Sequence, residues 1–267
     1  MYPFLLPDIF GYTIPLYDVM IMVGILFMFL YIIPRFEKRD GYSHQETNRL
    51  LLLIAISLIV ALFSSYVFDG VFHSLAEGEL AFGSITFLGG LFGGIATFLL
   101  LYKYFYPYEK KDLRSILNTI ITGVVLAHAF GRIGCFFAGC CFGVPTESFL
   151  GVIFPHGHAH DLYPDAAVYP TQLFESAFLF ILFGALHYVQ SFKNREVEVY
   201  LIGYGIWRII VEFIRGDERG VLLPLYETQY NIFPTPSQFM SLLMLLFGVY
   251  LIYHHKQKQS LQIKDVR

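Results

Sequence analysis

Seven apolar runs, each long enough to cross a hydrocarbon core, recur along this 267-residue chain and dominate what it can fold into. They lie near 15–34, 50–72, 81–102, 115–138, 170–190, 199–215 and 237–255. A core about 30 Å thick takes roughly 20 helical residues. Lipid offers no water to the backbone, so each segment must satisfy its own hydrogen bonds as a helix. The expected fold class is therefore an all-α integral membrane protein, with residues 1–267 forming a single polytopic membrane domain. Composition agrees: 56% of residues are hydrophobic and 15% charged, against about 25% charged in soluble domains. No basic stretch precedes the first apolar run, so that run is expected to stay as a span rather than be cleaved as a signal peptide.

Lys and Arg in short loops favour the cytoplasmic side. Arg35, Lys38, Arg39 and Arg49 follow the first run; Lys103, Lys110, Lys111 and Arg114 follow the third; Lys193 and Arg195 follow the fifth. Lys256, Lys258, Lys264 and Arg267 occupy the tail, so fourteen of eighteen basic residues fall on alternate connections. The N-terminus is expected outside and the C-terminus in the cytoplasm. A net charge of −3 shows no basic excess, which excludes a nucleic-acid partner.

Arg132, Arg208, Arg215 and Arg219 are the basic residues this bias does not explain. An arginine inside a span costs about 2.5–3.5 kcal/mol on insertion scales and usually marks a site; snorkelling to outer headgroups is the alternative. Arg208, Glu212 and Arg215 stand at i, i+4 and i+7, one face of a predicted helix. Glu212 can orient one guanidinium and leave another to grip an anion bidentately. That pattern points to an anionic lipid headgroup, or else to a self-neutralised structural pair.

Around Arg132 the sequence HAFGRIGCFFAGCCFG places Gly131, Gly134, Gly139 and Gly143, where small residues permit close approach of a helix or a ligand. His128 lies four residues before Arg132 and is a candidate base or a hydrogen-bonded core histidine. Gly89, Gly90, Gly93 and Gly94 in the third run are expected to serve helix packing. Gln172 and Glu175 bring an amide and a carboxylate into the fifth run. His156, His158 and His160 with Asp161 and Asp165 are candidate zinc or copper ligands, although loop histidines without metal are commoner. Cys135, Cys140 and Cys141 form no disulfide framework.

Taken together, GRIGCFFAGCCFG, YPTQLFE and LIGYGIWRIIVEFIR resemble the signature segments of the prolipoprotein diacylglyceryl transferase family, as do Tyr17 and the glycine-rich FLGGLFGG in the same order. The resemblance implies a seven-helix bacterial plasma-membrane enzyme with its N-terminus outside. It would move the diacylglyceryl group of phosphatidylglycerol onto the lipobox cysteine of a preprolipoprotein, releasing glycerol 1-phosphate without a cofactor or metal. Arg132 and Arg208 match family arginines that stabilise the departing phosphate; Glu212, Gly143 and Tyr17 match as well. The expected catalytic set is Arg132, Arg208, Glu212 and His128. The expected substrate-binding set adds Arg215, Tyr17, Gln172, Glu175, Gly143, Cys135 and Cys140. The loops near 144–168 and 216–236 are expected to guide the acceptor.

The chain also departs from the family pattern. Leu88 stands where the family has a histidine proposed as the base, Cys135 replaces an asparagine, Cys140 a glutamate, and Tyr169 a histidine. Three readings follow. The transfer persists, because a thiol with pKa near 8.5 is already a few per cent thiolate at pH 7 and His128 can substitute as base. Alternatively the phospholipid pocket serves another acceptor, with Cys135 or Cys140 as a nucleophile. In the third reading the chain binds phospholipid without catalysis. A channel or transporter has little support, because no inverted repeat is visible.

Overall fold

A computed structural model describes residues 4, 13–77, 87–106, 112–217 and 235–265. Eight α-helices occur among them: α1 Leu16–Pro34, α2 His44–Glu77, α3 Phe87–Phe105, α4 Leu113–Ala138, α5 His158–Leu162, α6 Thr171–Tyr188, α7 Glu196–Glu212 and α8 Pro236–Asp265. Extended pairing among the described residues is confined to isolated bridges. The protein is thus all-helical, and it is membrane-embedded on the strength of its apolar helices. Leu16–Arg39, His44–Phe68, Leu113–Ala138 and Ser237–His255 are long and apolar enough to cross a bilayer, and Gly89–Phe105 is a shorter apolar helix. α6 and α7, with 18 and 17 residues, are diluted by charge: Glu175, Glu196, Glu198 and Glu212 are buried. Their polar groups face protein, which is why a hydropathy scan reads them weakly.

The chain forms two compact units, residues 33–113 and residues 1–32 with 114–267. In the first, Ser43 opens α2 with a reciprocal capping box: its N–H donates to Glu46 Oε2 at 2.7 Å and its Oγ accepts the Glu46 N–H at 3.3 Å. α3 then lies against α2 through its glycines. A Cβ on Gly89 would stand 2.5 Å from Phe68 Cβ, and Ser64 Oγ donates to the Gly89 carbonyl at 2.8 Å. The packing expected of the paired glycines is what the helices use.

In the second unit α1 crosses α4 at glycines on both sides. Gly24 meets the Ala127 carbonyl, Gly123 meets Met28 and Ile32, and Gly134 meets Tyr17. Val125, Ala129, Leu179, Leu182, Leu186 and Tyr204 then bury a core shared by α4, α6 and α7. α8 runs beside α7, with Gly205 against the Ser241 carbonyl. The segment 139–170 folds over a small core of its own, Phe142, Phe154, Ala159 and Val168.

Candidate functional site

The second unit brings Arg132, Glu175, Tyr204, His128 and Arg208 around one buried carboxylate. Arg132 comes from the last third of α4, Glu175 from the second turn of α6, and Tyr204 and Arg208 from successive turns of α7. Arg132 Nη2 stands 3.1 Å from Glu175 Oε1, which also accepts a hydrogen bond from Tyr204 Oη at 2.7 Å. The His128 ring packs edge-on against Tyr204, 5.3 Å between centroids, and feels the charges of Arg132, Glu175 and Arg208. An unpaired charge would be costly here, so the carboxylate holds Arg132 charged and in place.

Arg208 is held from its own helix and from α8. Its Nη1 lies 3.3 Å from Glu212 Oε2 one turn on, and its Nη2 donates to Ser237 Oγ at 3.2 Å. Glu212 in turn accepts Thr235 Oγ1 at 2.6 Å. Arg132 Nε and Trp207 Nε1 are buried and lack a hydrogen-bond partner among the described residues. The Arg132 fork, held by Glu175 through Nη2 with Nε left over, suits an anionic oxygen-rich ligand.

The one-face reading of Arg208, Glu212 and Arg215 is corrected. α7 ends at Glu212, a turn follows, and Arg215 pairs with Gly143 in an isolated bridge. Its fork is spent on Asp217, with Nε to Oδ1 at 2.8 Å and Nη2 to Oδ2 at 2.7 Å. The predicted helix overran because IVEFIR is apolar enough to continue a span, while Gly216 donates its N–H to the Phe142 carbonyl instead.

Gly143 sits where three segments cross. A Cβ there would lie 2.7 Å from both the Ile214 carbonyl oxygen and Tyr169 Cβ, and 2.9 Å from Thr171 Cγ2. Gln172 reaches the same turn, its Nε2 donating to the Cys140 carbonyl at 2.6 Å, while Thr171 Oγ1 donates to the Cys141 carbonyl at 2.7 Å. Tyr17 lies on Gly134, two residues beyond Arg132 in α4.

The loop histidines are drawn into structure separately. His160 Nδ1 lies 3.0 Å from the Phe154 carbonyl oxygen and the His158 ring packs on Phe142. The group of potential ligands that converges among the described residues is the three cysteines. Tyr204 and Ser237 escaped sequence reasoning because nothing local distinguishes them and their partners lie on other helices; Thr235 had a signal, the Thr-x-x-Gln capping box it forms with Gln238 at 3.0 and 3.2 Å. Arg219 and most of the 216–236 loop lie outside the described residues, as does the Leu88 side chain.

Helical architecture and a buried arginine–carboxylate centre define a membrane-embedded helical protein with charged groups among its helices. The sequence model for prolipoprotein diacylglyceryl transferase matches residues 5–254, and the chain belongs to that family. It is 32% identical over 251 residues to a phosphatidylglycerol–prolipoprotein diacylglyceryl transferase of Clostridium tetani, covering 91% of this chain and 94% of the relative. It is 33% identical over 268 residues to a second such transferase of Clostridium perfringens, covering 95% of each. A relative of that name from Parasynechococcus marenigrum is 30% identical over 86% of this chain and 88% of its own length.

Proposed function

We propose that this protein transfers the diacylglyceryl group of phosphatidylglycerol to the thiol of a preprolipoprotein lipobox cysteine and releases glycerol 1-phosphate. The observation that carries the reading is the pair of buried arginines, Arg132 and Arg208, each braced by a carboxylate, with Arg132 keeping its Nε unused among the described residues. Thiolate attack on the glyceryl carbon breaks its bond to the phosphate oxygen, and negative charge grows on the leaving group. Preorganised guanidinium donors aimed at that charge lower the barrier because they need no reorganisation as it develops.

In this reading Glu175 and Glu212 orient the two arginines and Tyr204 fixes Glu175. Gln172 and Gly143 shape the turn beside the site, Tyr17 closes it from α1, and Arg215 holds the bridge rather than the headgroup. His128, whose ring packs on Tyr204, is the candidate base. Seven spans in a bacterial plasma membrane, with the N-terminus outside, accord with the basic residues on alternate connections. The lipobox segment then approaches from the outer side across the segment 144–168.

The test is turnover of the purified protein in detergent containing phosphatidylglycerol, following glycerol phosphate release with and without a lipobox peptide. Peptide-dependent release that Arg208→Ala abolishes supports the transferase. Peptide-independent release points to another acceptor, and lipid binding without release leaves a binding protein.

A further inference from the structure

The chain's three cysteines lie within seven residues, and the fold makes one cluster of them. α4 ends in a glycine turn: Gly139 takes φ +66, its N–H donates to the Phe136 carbonyl at 3.2 Å, and the Cys140 N–H donates to the Cys135 carbonyl at 3.2 Å. These are the two bonds of a Schellman end. They carry the residue five positions on back over Cys135, so Cys-x4-Cys is the spacing that meets. Cys141 adopts φ +61, a region non-glycine residues seldom occupy and one that persists where surroundings enforce it. Gln172 and Thr171 do so by holding the carbonyls of Cys140 and Cys141.

The three Sγ atoms lie within 4.8 Å of one another, and all three thiols are free and half-buried. Sulfurs about 2.3 Å from a tetrahedral zinc stand roughly 3.8 Å apart, so the cluster closes on an ion with little movement. Soft thiolate sets select d10 cations, and the cluster stands at the C-terminal end of a 26-residue helix, where the dipole favours positive charge. Arg132, one turn before Cys135, and Arg215 both act electrostatically on Cys141. Three protein ligands keep one position open, the arrangement of catalytic rather than structural zinc.

We propose that Cys135, Cys140 and Cys141 hold a zinc ion whose open position binds the thiol of the acceptor cysteine. This rests on the transferase reading above. A thiol that coordinates zinc gives up its proton outright, here to water on the outer side. The bound thiolate then attacks the glyceryl carbon: the S–C bond forms, the C–O bond to phosphate breaks, and the electron pair leaves on the phosphate beside Arg132. The uncharged thioether is a poor zinc ligand and departs, and zinc keeps its oxidation state throughout.

The experiment strips the purified full-length protein with a chelator and titrates it with Zn(II), and in parallel with Co(II). One zinc per chain is expected, with an intense thiolate-to-cobalt charge-transfer absorption. Each of Cys135→Ser, Cys140→Ser and Cys141→Ser should weaken binding at least tenfold. A lipobox peptide should shift the visible cobalt bands, and a peptide with serine for cysteine should not. Zinc should also shield the wild-type thiols from alkylation, a readout that survives poor folding of a variant. Failure of folded wild-type protein to bind stoichiometric zinc overturns the proposal, as does binding that the peptide leaves unchanged. Full transfer by metal-free protein overturns it too and leaves the transferase reading standing. A zinc site that answers the peptide without glycerol phosphate release sinks that reading instead and upholds the site.

Discussion

Arg132 on α4 and Glu175 on α6 form an ion pair of 3.1 Å whose carboxylate is fully buried and also receives the Tyr204 hydroxyl. Removing one member of a buried pair leaves the other uncompensated, at about 3–5 kcal/mol. Glu175→Gln should therefore lower stability by about 3 kcal/mol, read as thermal unfolding in detergent. Tyr204→Phe, which removes one hydrogen bond, should cost about 1–1.5 kcal/mol. Equal losses from the two changes would mean that the pair does not carry the centre.

Lysine keeps a charge but loses the planar fork. Arg132→Lys and Arg208→Lys should each reduce glycerol phosphate release by about 100-fold, the scale of losing one preorganised donor. Melting temperature should move far less than in Glu175→Gln. Retained turnover in both would show that charge alone suffices.

Arg215 uses two donors on Asp217. Asp217→Asn should cost about 1 kcal/mol of stability and change turnover less than tenfold. A loss as deep as that of Arg208→Lys would place Arg215 on the headgroup.

Two glycines near Arg132 should answer oppositely to alanine. Gly143→Ala forces a methyl to 2.7 Å from the Ile214 oxygen and should destabilise by about 1–3 kcal/mol. Gly131→Ala meets nothing within 4 Å and should be neutral or stabilising by up to about 1 kcal/mol through helix propensity. Paired melting curves decide it.

Much of this was legible because it is local. The apolar runs of α1, α2, α4 and α8 and the small residues of α3 follow from patterns a few residues long. The arginines were legible as an excess: once loop charges are assigned to topology, Arg132 and Arg208 remain in apolar surroundings. Arg215 misled for the same reason, since FIR extends an apolar pattern that the backbone abandons at Glu212.

Hydropathy, charge bias and motif spacing are properties of the chain alone, and they were enough to establish a helical membrane protein of this family with arginines left over in apolar runs. Tertiary packing was needed to show that Arg132 meets Glu175, that Ser237 meets Arg208, that Gln172 clamps the cysteine turn and that three thiols share one place. Those contacts join α4 to α6 and α7 to α8, and no short-range pattern encodes a distance between helices.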